Sequence, residues 1–240
     1  MFLKVEPKSL TDTRLQLHWA SQLLSAAADA KVAKADDDSH SNLGWNESTN
    51  QLEGRADVSL DVSKFAIVHN DNSFSLTDST LADGLKWLSE SLQSEIKLRD
   101  YDMPEHAVSS GSKFNPNPEH LSVVADWYTF AQKTLNSQGE LRVWPHHFDL
   151  GFWKPGAIEG KSIGGGFSPG DNYYDQPYFY INPYGVEKPD TLSELAHGQW
   201  TDHWFGAVLT AEEIQQGEPD AIATKFTNQA IELCHSLLNG

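Results

Sequence analysis

The chain has 240 residues, 39% hydrophobic and 11% aromatic, a composition that builds a core and excludes wholesale disorder. Seventeen basic residues against 34 acidic ones leave a formal net charge of -17, which repels phosphate backbones and argues against nucleic acid and anionic membranes as partners. Cys234 is the single cysteine, so no internal disulfide can form and a reducing compartment is favoured.

The N-terminal Met1-Phe2-Leu3-Lys4-Val5-Glu6-Pro7 lacks the apolar run of a signal peptide. No segment approaches the ~20 apolar residues of a membrane span. The expectation is a cytoplasmic protein, although a mature periplasmic chain would read the same way.

In chain order, Leu10, Leu17, Ala20, Leu24 and Ala27 recur at helical spacing and predict a first helix over 10–33, capped by Ser9 or Thr11. Asp36-Asp37-Asp38-Ser39 reads as a loop. Strands are predicted at 41–46, 51–60, 65–69 and 73–76, with Asn70-Asp71-Asn72 as a hairpin turn. Val58, Leu60 and Val62 alternate with Ser59 and Asp61, as in a half-buried strand.

A second helix, 80–98, carries Leu81, Leu85, Leu88, Leu92 and Ile96 on one stripe. The stretch 100–117, with Pro104, Gly111 and Pro116, reads as a connector. Pro118 suits the first position of a third helix that Gly139 ends. Strands follow at 140–153, 161–167, 177–182 and 197–209. Thr210 and Glu213 have capping-box spacing, and Pro219 opens a last helix through 238.

This order predicts an α+β fold: antiparallel sheets covered by about four longer helices. The preferred arrangement is two tandem helix–strands–helix modules, 1–100 and 118–240, joined by the connector 101–117 and fused into one globule. An internal repeat is consistent with it. His40-Ser41-Asn42-Leu43-Gly44-Trp45 aligns with His147-Phe148-Asp149-Leu150-Gly151-Phe152, which places His40 and Asn42 in correspondence with His147 and Asp149.

The densest chemistry lies in Trp144-Pro145-His146-His147-Phe148-Asp149-Leu150-Gly151-Phe152-Trp153. Read as one strand, it turns Phe148, Leu150 and Phe152 to one face and His147, Asp149 and Gly151 to the other. On that reading His147 and Asp149 are candidates for a general base and the carboxylate that orients it. They are also candidates, with Asp171 and His203, for a site holding a divalent metal. His146 and His147, on opposite strand faces, would not share an ion. Tyr178, Tyr180 and Asn182 should line the polar face of a later strand while Phe179 and Ile181 face the core. Tyr173, Tyr174, Tyr184, Trp204 and His203 extend that aromatic wall.

Two formal motifs fail on physical grounds. Gly166-Phe167-Ser168-Pro169-Gly170 matches the nucleophile elbow, but Pro169 has no backbone N–H for an oxyanion and no helix follows. Gly160-Lys161-Ser162 lacks the upstream glycine of a phosphate loop, since position 155 is Pro155. Gly164-Gly165-Gly166 reads instead as a place of close backbone approach or a bulge.

Trp144-Pro145-His146-His147-Phe148-Asp149-Leu150, the turn Gly166 to Gly170, and Gln176-Pro177-Tyr178-Phe179-Tyr180 with Pro183 follow one another as in a bacterial domain family of unknown function, which this chain resembles. That family carries a W-[PG]-x-x-F-D-L strand, a G-F-x-P-G turn and a P-x-F-Y strand. The chain departs from it at Ser168, where tryptophan is common, and in the first half, where a His-Trp-rich strand stands in place of 40–45. The resemblance implies a shared fold and brings no activity, cofactor or catalytic residue.

Three functions remain open on the sequence. One is a module that binds a small-molecule ligand against His147, Asp149, Tyr178, Tyr180, His203 and Trp204, with His40 and Asn42 in the corresponding place of the first half. Another is an enzyme that uses His147 and Asp149 as base pair or metal ligands. The third is a structural or partner-binding protein whose polar cluster merely stabilises a sheet.

Overall fold

A computed structural model describes residues 5–239. The architecture is α+β, with two antiparallel sheets of five and six strands and four helices longer than one or two turns. The chain divides into two compact units. The first comprises mainly Ser9–Thr129 with Arg142–Phe148, and the second Phe130–Leu141 with Asp149 onward.

In the first unit, helix α1 (Thr11–Lys31) starts without the predicted cap. A 3-10 turn over Pro7–Leu10 runs straight into it, leaving Leu10 in a helical conformation with no capping side chain. The helix is buried almost all round between Thr13 and Ala28. Its polar residues are buried because they hold other backbone: Gln16 Oε1 accepts from the Asn115 amide (2.7 Å), Thr13 Oγ1 from that of Asn117 (3.2 Å), and Trp19 Nε1 donates to the Pro104 carbonyl (3.0 Å). The stretch 101–117 is therefore strapped onto α1 and belongs to the first unit, so the chain does not divide at the connector.

Strands β1 (Gly44–Asn46), β2 (Gln51–Glu53), β3 (Val58–Asp61), β4 (Ala66–His69) and β5 (Asn72–Ser75) form a meander in sequence order. His69 pairs with Asn72 across a two-residue turn, and Asn70 takes the left-handed conformation that asparagine tolerates. Helix α2 (Leu81–Leu92) is shorter than its apolar stripe, because Gln93 caps it in a left-handed conformation. A capping box between Thr80 and Asp83 fixes its start. It packs on α1 where Gly84 leaves room, since a methyl there would meet Leu23 Cδ1 at 2.9 Å.

Helix α3 (Pro118–Leu135) begins at the expected proline, and β6 (Arg142–Trp144) bridges back to the first unit, exchanging backbone hydrogen bonds of 2.8 and 2.9 Å between Leu43 and Val143. The second unit carries β7 (Asp149–Pro155), β8 (Ser162–Ser168), β9 (Tyr178–Tyr184), β10 (Gln199–Trp200) and β11 (Ala207–Thr210), in the order β10-β11-β9-β8-β7. The strand expected over 197–209 is two short strands, because residues 201–206 form a turn closed by Thr201 N–H to the Gly206 carbonyl. Thr210 and Glu213 make their capping box on a single turn, α4 (Ala211–Ile214).

Helix α5 (Pro219–Asn239) packs on β8, β9 and β11. The apolar face of the sheet holds Leu150, Phe167, Phe179, Ile181 and Leu209, all fully buried, with Phe130 meeting Phe179 edge-on. The alternation predicted for β9 is realised. Phe179 sits between the rings of Phe130 and Phe167 (centroids 5.7 and 5.6 Å). Phe179→Ala should therefore destabilise the fold by about 3–5 kcal/mol, read as a lowered urea midpoint with an unchanged slope.

Candidate functional site

The stretch that concentrates histidine, aspartate and aromatics is not one strand. β6 ends at Trp144, residues 145–148 form a turn, and β7 begins at Asp149. The amides of His147 and Phe148 both donate to the Trp144 carbonyl (3.2 and 2.7 Å), and Phe148 adopts φ +58°. That left-handed conformation costs a bulky residue on the order of 1–2 kcal/mol and needs compensation. Phe148 is buried, stacks on His18 (centroids 5.1 Å) and meets Tyr128 edge-on, while Tyr128 Oη donates to its carbonyl (2.6 Å).

The expectation that His147 and Asp149 share a strand face is thus overturned: His147 is exposed on the turn of the first unit, and Asp149 starts a strand of the second. The separation of His146 from His147 is overturned too, because the turn brings their rings to 4.2 Å. Burial, reinforced by the neighbouring His147 and Arg99 charges, pushes the His146 pKa down to about 4. The whole turn is clamped from α1, where His18 Nε2 and Gln22 Nε2 reach the Pro145 carbonyl at 2.8 and 2.7 Å.

The second unit holds the largest assembly of predicted site residues. On the polar face of its sheet, Gly151 of β7, Gly166 of β8 and Tyr180 of β9 stand directly opposite one another. With no side chain on either glycine, the Tyr180 phenol lies across both strands and donates to Asp149 Oδ2. A methyl on Gly166 would meet Tyr180 Oη at 2.8 Å and the Leu150 carbonyl at 2.5 Å. One register step along, Tyr178 donates to Asp171 Oδ2 (2.6 Å), and the other oxygen of Asp171 accepts from the amides of Tyr173 and Tyr174 (2.8 and 2.9 Å). Burial, then the adjacent carboxylate, raises the pKa of both phenols well above the usual tyrosine value.

Around Asp171 the aromatic wall closes. Tyr173, Tyr174 and Tyr178 meet Trp204 with centroids at 5.5, 6.1 and 6.4 Å, and Tyr173 lies 5.0 Å from the exposed His203 ring. Thr201 sets the turn that carries His203 and Trp204, accepting from Tyr174 Oη (2.9 Å) and the His203 amide (3.2 Å). Trp204 Nε1 donates to Asn182 Oδ1 (2.8 Å). Ser168 ends β8 and accepts from the Gly170 amide (3.1 Å), in a strand-to-loop turn rather than an elbow into a helix.

Of the remaining predicted site residues, His40 and Asn42 belong to a different environment in the first unit. Buried His40 accepts from the Ala35 amide through Nδ1 (3.2 Å) and turns Nε2 to Asp29 (2.9 Å), which also receives a bidentate Arg99. Arg99 further contacts Asp38 (3.3 Å) and Tyr101 Oη (2.6 Å). This is a satisfied ion network that no motif announced, since its members lie up to 70 residues apart. Asn42 Nδ2 is buried without a hydrogen-bond partner among the described residues. Also among the described residues, no three His, Cys, Asp or Glu side chains gather as they would around a metal ion, so His147, Asp149, Asp171 and His203 do not form the ligand set considered from sequence.

No family model, curated protein or solved structure matches the chain.

Two titrations check the site geometry. Because the folded pKa values of Tyr178 and Tyr180 lie above those of the unfolded chain, their stabilisation is complete below about pH 10 and is lost as pH rises beyond it. Absorbance at 295 nm should show fewer than all seven tyrosines ionising before the native protein unfolds, and all of them in denaturant. His18 behaves in the opposite sense: burial lowers its pKa to about 3, so stability is complete above about pH 6.5 and falls as pH drops toward 3. His18→Gln should flatten that acid limb in urea titrations.

Proposed function

We propose that the protein is a binding module for a small polar ligand, held on the aromatic and hydroxyl-bearing face of the second unit's sheet. The observation that carries this reading is the pairing of two carboxylates with two tyrosines over a floor of glycines. Burying Asp149 and Tyr180 on a sheet is costly unless every polar atom is placed, and an apolar ladder would stabilise the sheet equally well. Polar groups fixed beside half-exposed aromatic rings are what small-ligand sites use to orient a guest. Tyr178 and Tyr180 stay protonated across the physiological range and serve as donors and rigid walls, not as bases. Tyr173, His203 and Trp204 supply the exposed rim.

The helix–sheet–helix order recurs in both halves and supports an ancient duplication. The two proposed counterparts have nevertheless diverged locally, since His40 lies in a 3-10 turn and His147 in the turn before β7.

A thermal-shift screen of neutral and cationic metabolites tests the reading. A ligand at 100 times its Kd should add about 2.7 kcal/mol of stability. Trp204→Ala and Tyr178→Phe should abolish the shift while leaving the far-UV spectrum unchanged. Variants that simply fail to fold, or ligands that stabilise them as well as the parent protein, would leave the cluster as a sheet-stabilising feature only.

A further inference from the structure

One edge of the same face is not used by the tyrosine–carboxylate pairs. Trp153 on β7 opposes Gly164 on β8, which opposes Asn182 on β9. Two interstrand spacings separate Trp153 from Asn182, roughly 9.5 Å. Between them the Tyr184 ring lies over Gly164, where a methyl would come within 2.7 Å of its Cε2. Trp153 is 64% exposed and Tyr184 48% exposed, so two large rings stand in water on this face of the sheet. Beside them the Asn182 amide is fixed: its oxygen accepts from Trp204 Nε1 (2.8 Å) and its nitrogen donates to Tyr184 Oη (3.3 Å).

We infer that this row, Trp153, Tyr184, Asn182 and Trp204, is a platform for a neutral oligosaccharide. The inference rests on the binding-module reading and gives it a ligand class. A pyranose ring offers an apolar C–H face, which covers an exposed indole or phenol ring, and hydroxyls at its rim, which need fixed amide and indole partners. The row supplies the ring faces of Trp153 and Tyr184 and, at their rim, the Tyr184 hydroxyl held in place by the Asn182 amide, and it carries no charged side chain. The neighbouring Lys154 turns to the other face, over the Phe152 ring (5.6 Å) and onto Gln138 (2.7 Å). A net charge of -17 disfavours uronates and other anionic sugars.

The alternatives fit less well. β8 is hydrogen-bonded on both sides by β7 and β9, and β9 by β8 and β11, so no partner strand can add at Gly164, Asn182 or Tyr184. A stable protein interface covers about 800 Å² per partner with 20–30 residues. The exposed large hydrophobic side chains among the described residues are Trp153, Ile158, Tyr173 and Tyr184, too few for that.

The test titrates the full chain with cellohexaose, xylohexaose, mannohexaose and maltohexaose, with a galacturonic acid hexamer as the anionic control. Tryptophan fluorescence and calorimetry are the readouts. At least one neutral hexamer should bind, the anionic one should not, and Trp153→Ala and Tyr184→Ala should each weaken binding tenfold or more. Both residues are exposed, so the variants should melt like the parent protein. If no neutral hexamer binds at millimolar concentration, or if the double variant binds as well, the saccharide assignment is wrong. A hit from the metabolite screen that Trp204→Ala abolishes but Trp153→Ala does not would then keep the binding module and reject only the sugar. Loss of both would reject the module itself. Concentration-dependent dimerisation abolished by Trp153→Ala would show instead that the edge is a self-association surface.

Discussion

The second unit is organised around side chains that are missing. β8 runs Ser162-Ile163-Gly164-Gly165-Gly166-Phe167-Ser168, and every residue in it is buried. Three consecutive glycines weaken a strand in isolation, because they forfeit packing and lose the most chain entropy on folding. Here the vacated space is filled from both flanking strands. Gly164 and Gly166 admit the rings of Tyr184 and Tyr180 on the polar face, and Gly165 admits Phe152 and Ile181 on the other. A β-carbon at any of the three would displace a ring, so the wall of aromatics on one face and the core on the other depend on the same triplet.

The electrostatics of that face follow from its packing. Asp149 and Asp171 sit against phenols that burial keeps protonated, so each carboxylate accepts from a neutral donor. At Asp149 the arrangement fixes both partners: the Tyr180 phenol cannot rotate away without leaving a buried carboxylate short of a donor, a loss of the order of 1–3 kcal/mol. A rigid array of neutral donors, ring faces and one oriented amide selects guests by shape and hydrogen bonding.

The first unit solves a different problem. Its Trp144–Phe148 turn forces a phenylalanine into a left-handed conformation, and helix α1 pays that cost with two side chains on one carbonyl and a stacked imidazole. Burial holds His18 neutral beside the Pro145 carbonyl, which is why acid should loosen the turn.

Much of this was legible in the sequence. Apolar periodicity and Pro118 and Pro219 placed the long helices, Asn70-Asp71 placed a hairpin, and Thr210 with Glu213 announced a cap, because each of these signals is local. The alternation in β9 correctly separated Phe179 and Ile181 from Tyr178, Tyr180 and Asn182, and the glycine triplet was readable as a point of close approach. The sequence misled where a strand was interrupted: Trp144 to Trp153 has strand-like composition throughout, and nothing in it reveals that His18, Gln22 and Tyr128 hold its middle in a turn. That decision moved His147 away from Asp149's strand and gave Asp149 to Tyr180, 31 residues on. Likewise Arg99 and Asp29 could not have been assigned to His40 from spacing. Local propensity and periodicity are written in neighbouring residues, whereas which carboxylate meets which donor is set by strand register and helix packing, and only the tertiary structure fixes those.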